Sequence, residues 1–335
     1  MNFLVTGAAG FIGFHISKRL LNAGHQVIGI DNLNDYYDVH LKKARLQQIM
    51  HDSSFTFLKI DLADRVAISS LFAKYHFKRV IHLGAQAGVR YSIDNPYSYV
   101  NTNLIGHINI LEGCRHHKID HLLYASSSSV YGLNCKMPFS TDDCVDHPIS
   151  LYAATKKSNE LMSHTYSYLY QLPTTGLRLF TVYGPWGRPD MALFKFTSAM
   201  LSGKKIDVYN NGNMKRDFTY IDDICEVIFR LQNTIPQPNK NWAVKNRSTN
   251  IQYAPYSIYN VGNNHPVSLL TYIASLEKAL GIKAKKNMLP IQPGDLLETH
   301  ADTQNLQDII NFCPKTNVDW GIQQFVKWYL NFYNY

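Results

Sequence analysis

The stretch Thr6-Gly7-Ala8-Ala9-Gly10-Phe11-Ile12-Gly13 directly follows an apolar, β-rich run, Phe3–Thr6, and leads into a segment of helical periodicity. Glycines at this spacing are typical of the phosphate-binding turn between a strand and a helix. Gly7 permits the tight turn, Gly10 lets the backbone approach a pyrophosphate, and Gly13 lets the helix pack closely on the strand. The helix N-terminus then faces the phosphates. The stretch therefore predicts a dinucleotide site at the start of the chain.

A carboxylate after the second apolar run indicates which dinucleotide is bound. The run Gln26–Ile30 ends at Asp31, at the distance from the turn where an acidic residue accepts hydrogen bonds from the adenosine ribose. That carboxylate would repel a 2′-phosphate, and the following Asn32, Leu33 and Asn34 include no Arg to bind one. The sequence therefore favours NAD over NADP.

Further short β-rich runs alternate with helical segments through the first half of the chain. The runs are Thr56–Ile60, Arg79–Leu83, His121–Ala125 and Thr174–Leu179, and two of the helical segments are Phe14–Ala23 and Val100–Cys114. This alternation predicts an α/β protein with a Rossmann-type, doubly wound parallel sheet. Ligands bind such sheets at the carboxyl ends of the strands. The residues expected at the cofactor are Gly7, Gly10, Phe11, Ile12, Gly13, Asp31, Asn32, Asp61, Leu62, Leu83, Ala85 and Gln86.

The alternation becomes irregular after Tyr183 and returns at Tyr220–Leu231 and Ser257–Val261. We therefore expect an NAD-binding domain of residues 1–180, with return segments at about 219–232 and 257–262. Residues 184–218 and 263–335 are expected to form a smaller, interrupted C-terminal substrate domain. The polar stretch Asn233–Pro255 is predicted to be a long surface loop.

Composition narrows the class of protein. The chain of 335 residues has no run near the roughly 18 apolar residues that span a bilayer, and it enters the strand pattern directly, so we expect a cytoplasmic protein without membrane contact. The net charge of +8 is dispersed along the chain, which fits small anionic ligands and gives no indication of nucleic-acid binding. The five cysteines are scattered without C-x-x-C spacing, and no metal site is predicted.

A serine-rich strand end and a Tyr-x-x-x-Lys pair form the candidate catalytic signature. Ser126-Ser127-Ser128-Ser129 ends the fifth run, and Tyr152 and Lys156 follow on a predicted helix. Residues four apart share a helix face, so the ammonium of Lys156 can lie beside the phenol of Tyr152. A phenol of pKa ~10 becomes a usable base because the ammonium and the positive nicotinamide ring both favour the phenolate. Ser127 would bind the same substrate oxygen, so the predicted catalytic residues are Ser127, Tyr152 and Lys156.

These motifs resemble, over essentially the whole chain, the extended short-chain dehydrogenases/reductases, which include nucleotide-sugar epimerases and dehydratases. The residues that carry the resemblance are Thr6–Gly13, Ser127, Tyr152 and Lys156. It implies that Tyr152 and Lys156 also contact NAD. It further implies that Asn101 or Asn103 helps to fix the active-site helix, with Asn101 among the cofactor-binding residues. A homodimer packed through the helices bearing Asn103 and Tyr152 is also implied.

Two serines distinguish between the reactions of this superfamily. Dehydratases usually carry an Asp-Glu pair where this chain has Ser128 and Ser129, and relatives that decarboxylate UDP-glucuronate have a Glu at the position of Ser129. Neither hydroxyl is a competent acid or base near neutral pH. Epimerisation remains, because it needs one base and one recyclable hydride.

Four downstream blocks are similar to those of bacterial and plant UDP-glucuronate 4-epimerases: Val89–Ser92, Leu179–Ala192, Met214–Tyr220 and Gln292–Asp295. The similarity implies reversible conversion of UDP-glucuronate to UDP-galacturonate through a 4-keto intermediate, with tightly bound NAD. Hydroxyls suit a sugar carboxylate, and Arg suits a diphosphate. The expected substrate-binding residues are Arg90, Ser128, Ser129, Thr181, Arg188, Arg216, Gln292 and Asp295. Two alternatives stay open, a 4-epimerase of a neutral UDP-sugar such as UDP-glucose or UDP-N-acetylglucosamine, and a non-catalytic NAD-binding sensor of the same fold.

Overall fold

The structure is a computed structural model that describes residues 1–239, 253–292 and 294–335. Its strands are β1 (Asn2–Thr6), β2 (Gln26–Asp31), β3 (Phe55–Lys59), β4 (Arg79–His82), β5 (His121–Ser127), β6 (Thr174–Leu179), β7 (Thr181–Tyr183), β8 (Ile206–Val208), β9 (Lys215–Tyr220), β10 (Tyr256–Val261), β11 (Pro266–Ser268) and β12 (Lys286–Met288). Its α-helices are α1 (Phe11–Asn22), α2 (Val39–Gln47), α3 (Arg65–Lys74), α4 (Tyr91–Asp94), α5 (Pro96–Tyr99), α6 (Gly106–His116), α7 (Leu151–Tyr170), α8 (Ala192–Leu201), α9 (Ile221–Leu231), α10 (Leu269–Leu280), α11 (Gln304–Ile310) and α12 (Val318–Tyr333).

Seven parallel strands form the central sheet, in the order β10-β6-β5-β4-β1-β2-β3. The predicted Rossmann-type α/β fold is therefore confirmed. The chain winds in opposite directions on the two sides of the β1–β4 pair, and such a switch point opens a crevice at the carboxyl ends of the strands. Strands β4 and β10 are buried along their whole length, as expected for a parallel sheet covered on both faces.

The crevice depends on a close contact between β1 and α1. A Cβ atom built on Gly13 would lie 2.0 Å from the carbonyl oxygen of Gly7, and Gly7 itself has a φ of +69°. Helix α1 begins at Phe11, earlier than the predicted Phe14, because the turn closes with the Gly10 N–H donating to the Gly7 carbonyl at 2.8 Å. Its N-terminus therefore opens directly onto the crevice.

The predicted helix Val100–Cys114 is divided into two kinds of helix. Val100–Ile105 is a π-helix, and α6 continues from Gly106 to His116. π-helical turns are rare and occur frequently at functional sites. This turn carries the buried Asn103, which contacts the active-site helix.

The strands outside the central sheet form two small sheets, β11-β9-β7 and β12-β8. The chain returns to the central sheet at β10, and α9 packs on α1. Most of the predicted loop Asn233–Pro255 lies outside the described residues, which omit 240–252. Within the described ranges, we find no helix that is both long and apolar enough to cross a membrane.

Candidate active site

A cavity of about 770 Å³ opens at the carboxyl ends of the central strands. It brings together residues that are far apart in the sequence. The predicted site residues that line it are Gly7, Gly10, Phe11, Ile12, Gly13, Asp31, Asn32, Leu62, Leu83, Ala85, Gln86, Arg90, Ser127, Ser128, Ser129, Tyr152, Lys156, Thr181, Arg188, Arg216 and Asp295. Three predicted residues, Asp61, Asn101 and Gln292, are not among the lining residues.

The Asp31 carboxylate is tied to the glycine turn. Its Oδ2 accepts a hydrogen bond from the Ala9 N–H at 3.2 Å, and its Oδ1 accepts one from the Leu33 N–H at 2.8 Å. Burial raises the pKa of Asp31, while these N–H groups and the charges of Lys42 and Arg45 act in the opposite direction. Each carboxylate oxygen has lone pairs left for a ribose hydroxyl. A dinucleotide fits this arrangement, because the turn offers a helix N-terminus for the pyrophosphate and an acidic group for the ribose.

Lys42 adds a cation near Asp31 that residues 32–34 do not provide. Its Nζ donates to the backbone and side-chain oxygens of Asn34, both at 2.6 Å, and the side chain lines the cavity. Helix α2 supplies Lys42 and Arg45 near Asp31. The predicted preference for NAD over NADP therefore depends on the Asp31 carboxylate more than on an absence of cations.

The candidate catalytic residues lie together at the end of β5 and on the first turns of α7. The Ser127 hydroxyl lines the same cavity as the Tyr152 phenol and donates to the Ser129 hydroxyl at 3.1 Å. The Lys156 Nζ lies 6.0 Å from the Tyr152 ring centroid and donates to the Ala125 carbonyl at 2.9 Å. The sequence-predicted spacing thus places a hydroxyl, a phenol and a buried cation around one point in the cavity.

The electrostatics of the phenol differ from the expectation. Burial dominates and raises the pKa of Tyr152, whereas the charge of Arg188 and the nearby Ser127 hydroxyl act to lower it. Burial lowers the pKa of Lys156 to about 8. The protein alone therefore does not produce the easily formed phenolate that the Tyr-x-x-x-Lys pattern suggested, and Arg188 acts on it from outside that pattern.

The two candidate asparagines have different positions. Asn101 is exposed, whereas the Asn103 side chain accepts from the Gln86 N–H at 2.8 Å and donates to the Gln86 carbonyl at 3.1 Å and the Thr155 hydroxyl at 3.1 Å. Gln86 lies in the loop after β4, and Thr155 directly precedes Lys156 on α7. These bonds therefore link that loop to the helix that carries Tyr152 and Lys156. The helix-fixing role belongs to Asn103, and the cofactor contact expected of Asn101 is not supported by its position.

A buried ion pair stabilises the serine-rich end of β5. Arg178 on β6 donates to the two carboxylate oxygens of Glu160 at 2.9 and 3.0 Å. The same carboxylate accepts from the Ser126 hydroxyl at 2.6 Å. Glu160 therefore joins α7 to the strand end that carries Ser127.

Three arginines face the substrate end of the cavity, and each contacts protein acceptors. Arg90 pairs with Asp295 at 2.8 Å, and Arg188 forms a bidentate pair with Asp190. Arg216 donates to the Leu296 carbonyl at 2.6 Å and the Leu297 carbonyl at 3.1 Å. Arg90 and Arg188 thus have carboxylate partners beside them, whereas Arg216 is bound by backbone carbonyls.

Two predicted residues lie beside the cavity and act on residues that line it. Asp61 accepts from the Asn32 side chain at 2.8 Å, and the Gln292 carbonyl accepts from the Asp295 N–H at 3.2 Å. Their direct ligand contacts are therefore not supported by their positions. Sequence reasoning also missed Tyr36, whose hydroxyl donates to Asp190 at 3.1 Å across the cavity. Tyr36 belongs to the loop between β2 and α2, which no motif singled out.

Replacing Asp31 with Asn tests the cofactor end of the cavity. We expect NAD binding to weaken by about 1–3 kcal/mol, because charge-assisted hydrogen bonds are lost. Calorimetric titration of the apoprotein measures the effect, with the exposed Asp35→Asn in the same loop as control. Unchanged NAD affinity, or a native preference for NADP, would contradict the assignment.

Comparison with known proteins agrees with this geometry. Residues 3–244 match the NAD dependent epimerase/dehydratase family. An uncharacterized protein of Escherichia coli O111:H- is 67% identical over 99% of both chains. A probable UDP-glucuronate 4-epimerase of Rhizobium meliloti is 47% identical, covering 98% of this chain and 97% of that one.

Among solved structures, the UDP-glucuronic acid 4-epimerase of Bacillus cereus in complex with UDP-glucuronic acid and NAD superimposes with a TM-score of 0.88. The two are 33% identical, and the match covers 99% of this chain and 100% of that one. Because the family match extends over most of the sequence and the structural match over nearly all of it, this chain belongs to the NAD dependent epimerase/dehydratase family.

Proposed function

We propose that this chain interconverts UDP-glucuronate and UDP-galacturonate by reversible epimerisation at C4, with tightly bound NAD. The observation that carries the proposal is a base, Tyr152, in one cavity with cations for a diphosphate and with hydroxyls where dehydratases have acids. The names of the Rhizobium and Bacillus relatives point to the same sugar.

In this proposal, Tyr152 accepts the proton of the sugar 4-hydroxyl and returns it after the ring has turned over. Ser127 would bind the same oxygen, since its hydroxyl lines the same cavity as the phenol. Lys156 and Arg188 place positive charge near the phenolate as it forms. Bound NAD supplies the group that takes hydride from C4 and gives it back to the opposite face.

The cofactor and substrate are assigned to different parts of the chain. Residues 1–180, with return segments at about 219–232 and 257–262, would hold NAD, and 184–218 with 263–335 would hold the nucleotide sugar. The sheet topology supports this division, because β10 returns to the central sheet while β7, β8, β9, β11 and β12 form the small sheets. Arg90 and Arg216 would bind the diphosphate. Asp295 would lie near the uridine.

The proposal includes a homodimer and a cytoplasmic location. The helices α6 and α7 pack side by side, with His107 hydrogen-bonded to Ser163 at 2.9 Å. The apolar side chains of Ile108 on α6 and of Leu161 and Leu169 on α7 are exposed, as is that of Ile105 at the end of the π-helix. Exposed apolar side chains on adjacent helices favour a protein partner. The exposed thiols of Cys135 and Cys144 are free, which is compatible with a reducing compartment.

Replacing Leu161 with Asp tests the dimer. The charged side chain would have to be buried in the interface, so we expect a shift from dimer to monomer in light scattering after gel filtration. Ile309→Asp, an equally exposed apolar position on α11, is the control and should leave the mass unchanged. A monomeric wild-type protein would refute the dimer.

Replacing Tyr152 with Phe tests the base. We expect the fold and bound NAD to be retained while turnover of UDP-glucuronate falls by about 10²- to 10⁴-fold, the usual contribution of a general base. Tyr168→Phe, an exposed position on the same helix, should keep full activity. Wild-type turnover in Tyr152→Phe would rule out the mechanism.

The hydroxyls near the sugar carboxylate have a second expected role. Oxidation of glucuronate at C4 creates a β-keto acid, which loses CO₂ when the carboxylate bond stands perpendicular to the carbonyl plane. Ser128, Ser129 and Thr181 can restrain the carboxylate by hydrogen bonds without offering the proton that a Glu would supply. Each bond to a charged group contributes about 1.5–3 kcal/mol, enough to suppress a side reaction tenfold.

The combined variant Ser128→Ala, Ser129→Ala and Thr181→Val should therefore release CO₂ and form a UDP-4-keto-pentose. Mass spectrometry of the products, together with the absorbance of reduced nicotinamide, measures this outcome. The control is Thr165→Val, an exposed hydroxyl on α7. A variant that oxidises UDP-glucuronate but yields no pentose would show that other groups restrain the carboxylate.

A further inference from the structure

Arg45 on helix α2 is completely buried, and it is among the largest side chains with no exposure. Its five hydrogen bonds all go to uncharged oxygens. Arginine is almost never fully buried unless it is paired, because removing a charge from water is costly. A buried guanidinium held only by neutral acceptors therefore calls for an explanation beyond packing.

The acceptors of Arg45 belong to two separate parts of the site. Its Nη1 donates to the Ala9 carbonyl in the glycine turn at 2.9 Å. Its Nη2 donates to the Trp186 and Gly187 carbonyls at 2.7 and 3.2 Å, and its Nε donates to Trp186 at 3.1 Å. One side chain thus spans the cofactor turn and the loop that precedes Arg188.

At the cofactor end, Arg45 binds Ala9, the same residue whose N–H binds the Asp31 carboxylate. The Ala9 carbonyl accepts from Arg45, and the Ala9 N–H donates to the Asp31 carboxylate at 3.2 Å. The positive charge of Arg45 also acts to lower the pKa of Asp31, against the effect of burial. Arg45 therefore supports both the shape of the turn and the ionised state of the carboxylate.

At the sugar end, Arg45 holds a strained loop. Trp186 has a φ of +63°, a conformation that is unfavourable for a bulky side chain. Its ring packs against Trp328 and Phe332 of α12 at centroid distances of 5.2 and 5.0 Å, and its carbonyl receives two bonds from Arg45. The next carbonyls on either side are bound as well, Pro185 by His15 at 3.0 Å and Gly187 by Arg45.

Arg188 follows this loop directly, lines the same cavity as Tyr152, and its charge acts on the Tyr152 phenol. It is fixed by Asp190, which in turn accepts from Tyr36 in the segment that precedes α2. Helix α2 and the segment before it thus hold the Arg188 loop at two points, through Arg45 and through Tyr36. A displacement of these elements would move Arg188 relative to Tyr152.

We propose that Arg45 is a positioning residue that couples the cofactor turn to Arg188. The proposal rests on the proposed epimerase function. It assigns Arg45 no contact with substrate: Arg45 sets the distance between the bound dinucleotide and the guanidinium beside Tyr152. Only a planar fork with several N–H groups can reach Ala9 and Gly187 together, so Lys cannot replace it.

The test is a double-mutant cycle of Arg45→Lys, Arg188→Lys and the double variant, with Lys43→Met on the exposed face of α2 as control. It uses whichever UDP-sugar the wild-type enzyme epimerises, so a failure with UDP-glucuronate would refute the proposed function separately. The measurements are kcat, KM, the amount of NAD retained on gel filtration, and the melting temperature.

We expect Arg45→Lys to lower kcat by about 10- to 100-fold with a change in KM below about threefold, because small misplacements of a catalytic group have effects of this size. Retained NAD should also fall relative to Lys43→Met. In the double variant, kcat should lie within about twofold of the value for Arg188→Lys, because Arg45 acts through Arg188.

Multiplicative losses in the double variant, or unchanged kcat and NAD retention in Arg45→Lys, would overturn the proposal. If Arg45→Lys does not fold, Tyr37→Phe takes its place in the same cycle. That variant removes one acceptor of Arg45, at 2.7 Å, and leaves the guanidinium present. The same two outcomes then decide the question.

Discussion

The close approach of α1 to β1 is the constraint on which the rest of the site depends. A side chain at Gly13 would collide with the Gly7 carbonyl, so only glycine lets the helix begin directly above the strand. This places the helix N-terminus at the crevice where the sheet changes direction. In the same turn, the Ala9 N–H donates to Asp31 and the Ala9 carbonyl accepts from Arg45. The adenosine end and the sugar end of the cavity are therefore linked through one residue of this turn.

An epimerase of this kind needs fixed catalytic groups around a substrate that moves. The structure supplies the fixed part through buried polar bonds between neighbouring elements. Glu160 binds Arg178 and Ser126, which holds the end of β5 against α7, and Asn103 binds Gln86 and Thr155, which holds the β4 loop against the same helix. Buried networks with satisfied partners are rigid because any shift leaves a desolvated group unpaired. The phenol and the serines can thus keep their positions while the sugar ring turns.

Local patterns in the sequence were sufficient to predict the sheet, and they singled out the glycine turn, Asp31, Ser127, Tyr152 and Lys156, which line one cavity, because each pattern is formed by neighbouring residues. Asn103 could not be separated from Asn101 by pattern, since a π-helical turn decides which of the two faces the interior. Tyr36 and Arg45 were missed for a different reason. Tyr36 precedes helix α2 and Arg45 lies on it, and their partners Asp190, Trp186 and Gly187 are distant in sequence. Only the three-dimensional course of the chain brings such residues together.

Two arginines that line the cavity differ in how easily they can exchange partners. Arg90 and Arg188 each have a carboxylate partner, Asp295 and Asp190. In the proposed function, a diphosphate would compete with Asp295 for Arg90, and the bidentate geometry of Arg suits both partners. Arg188 differs, because Asp190 is also held by Tyr36 and the loop is fixed by Arg45. Exchange of partners is therefore easier at the half-exposed Arg90 than at Arg188. The nucleotide end of the cavity can adapt to its ligand, while the end beside Tyr152 keeps one electrostatic arrangement through the turnover of the sugar.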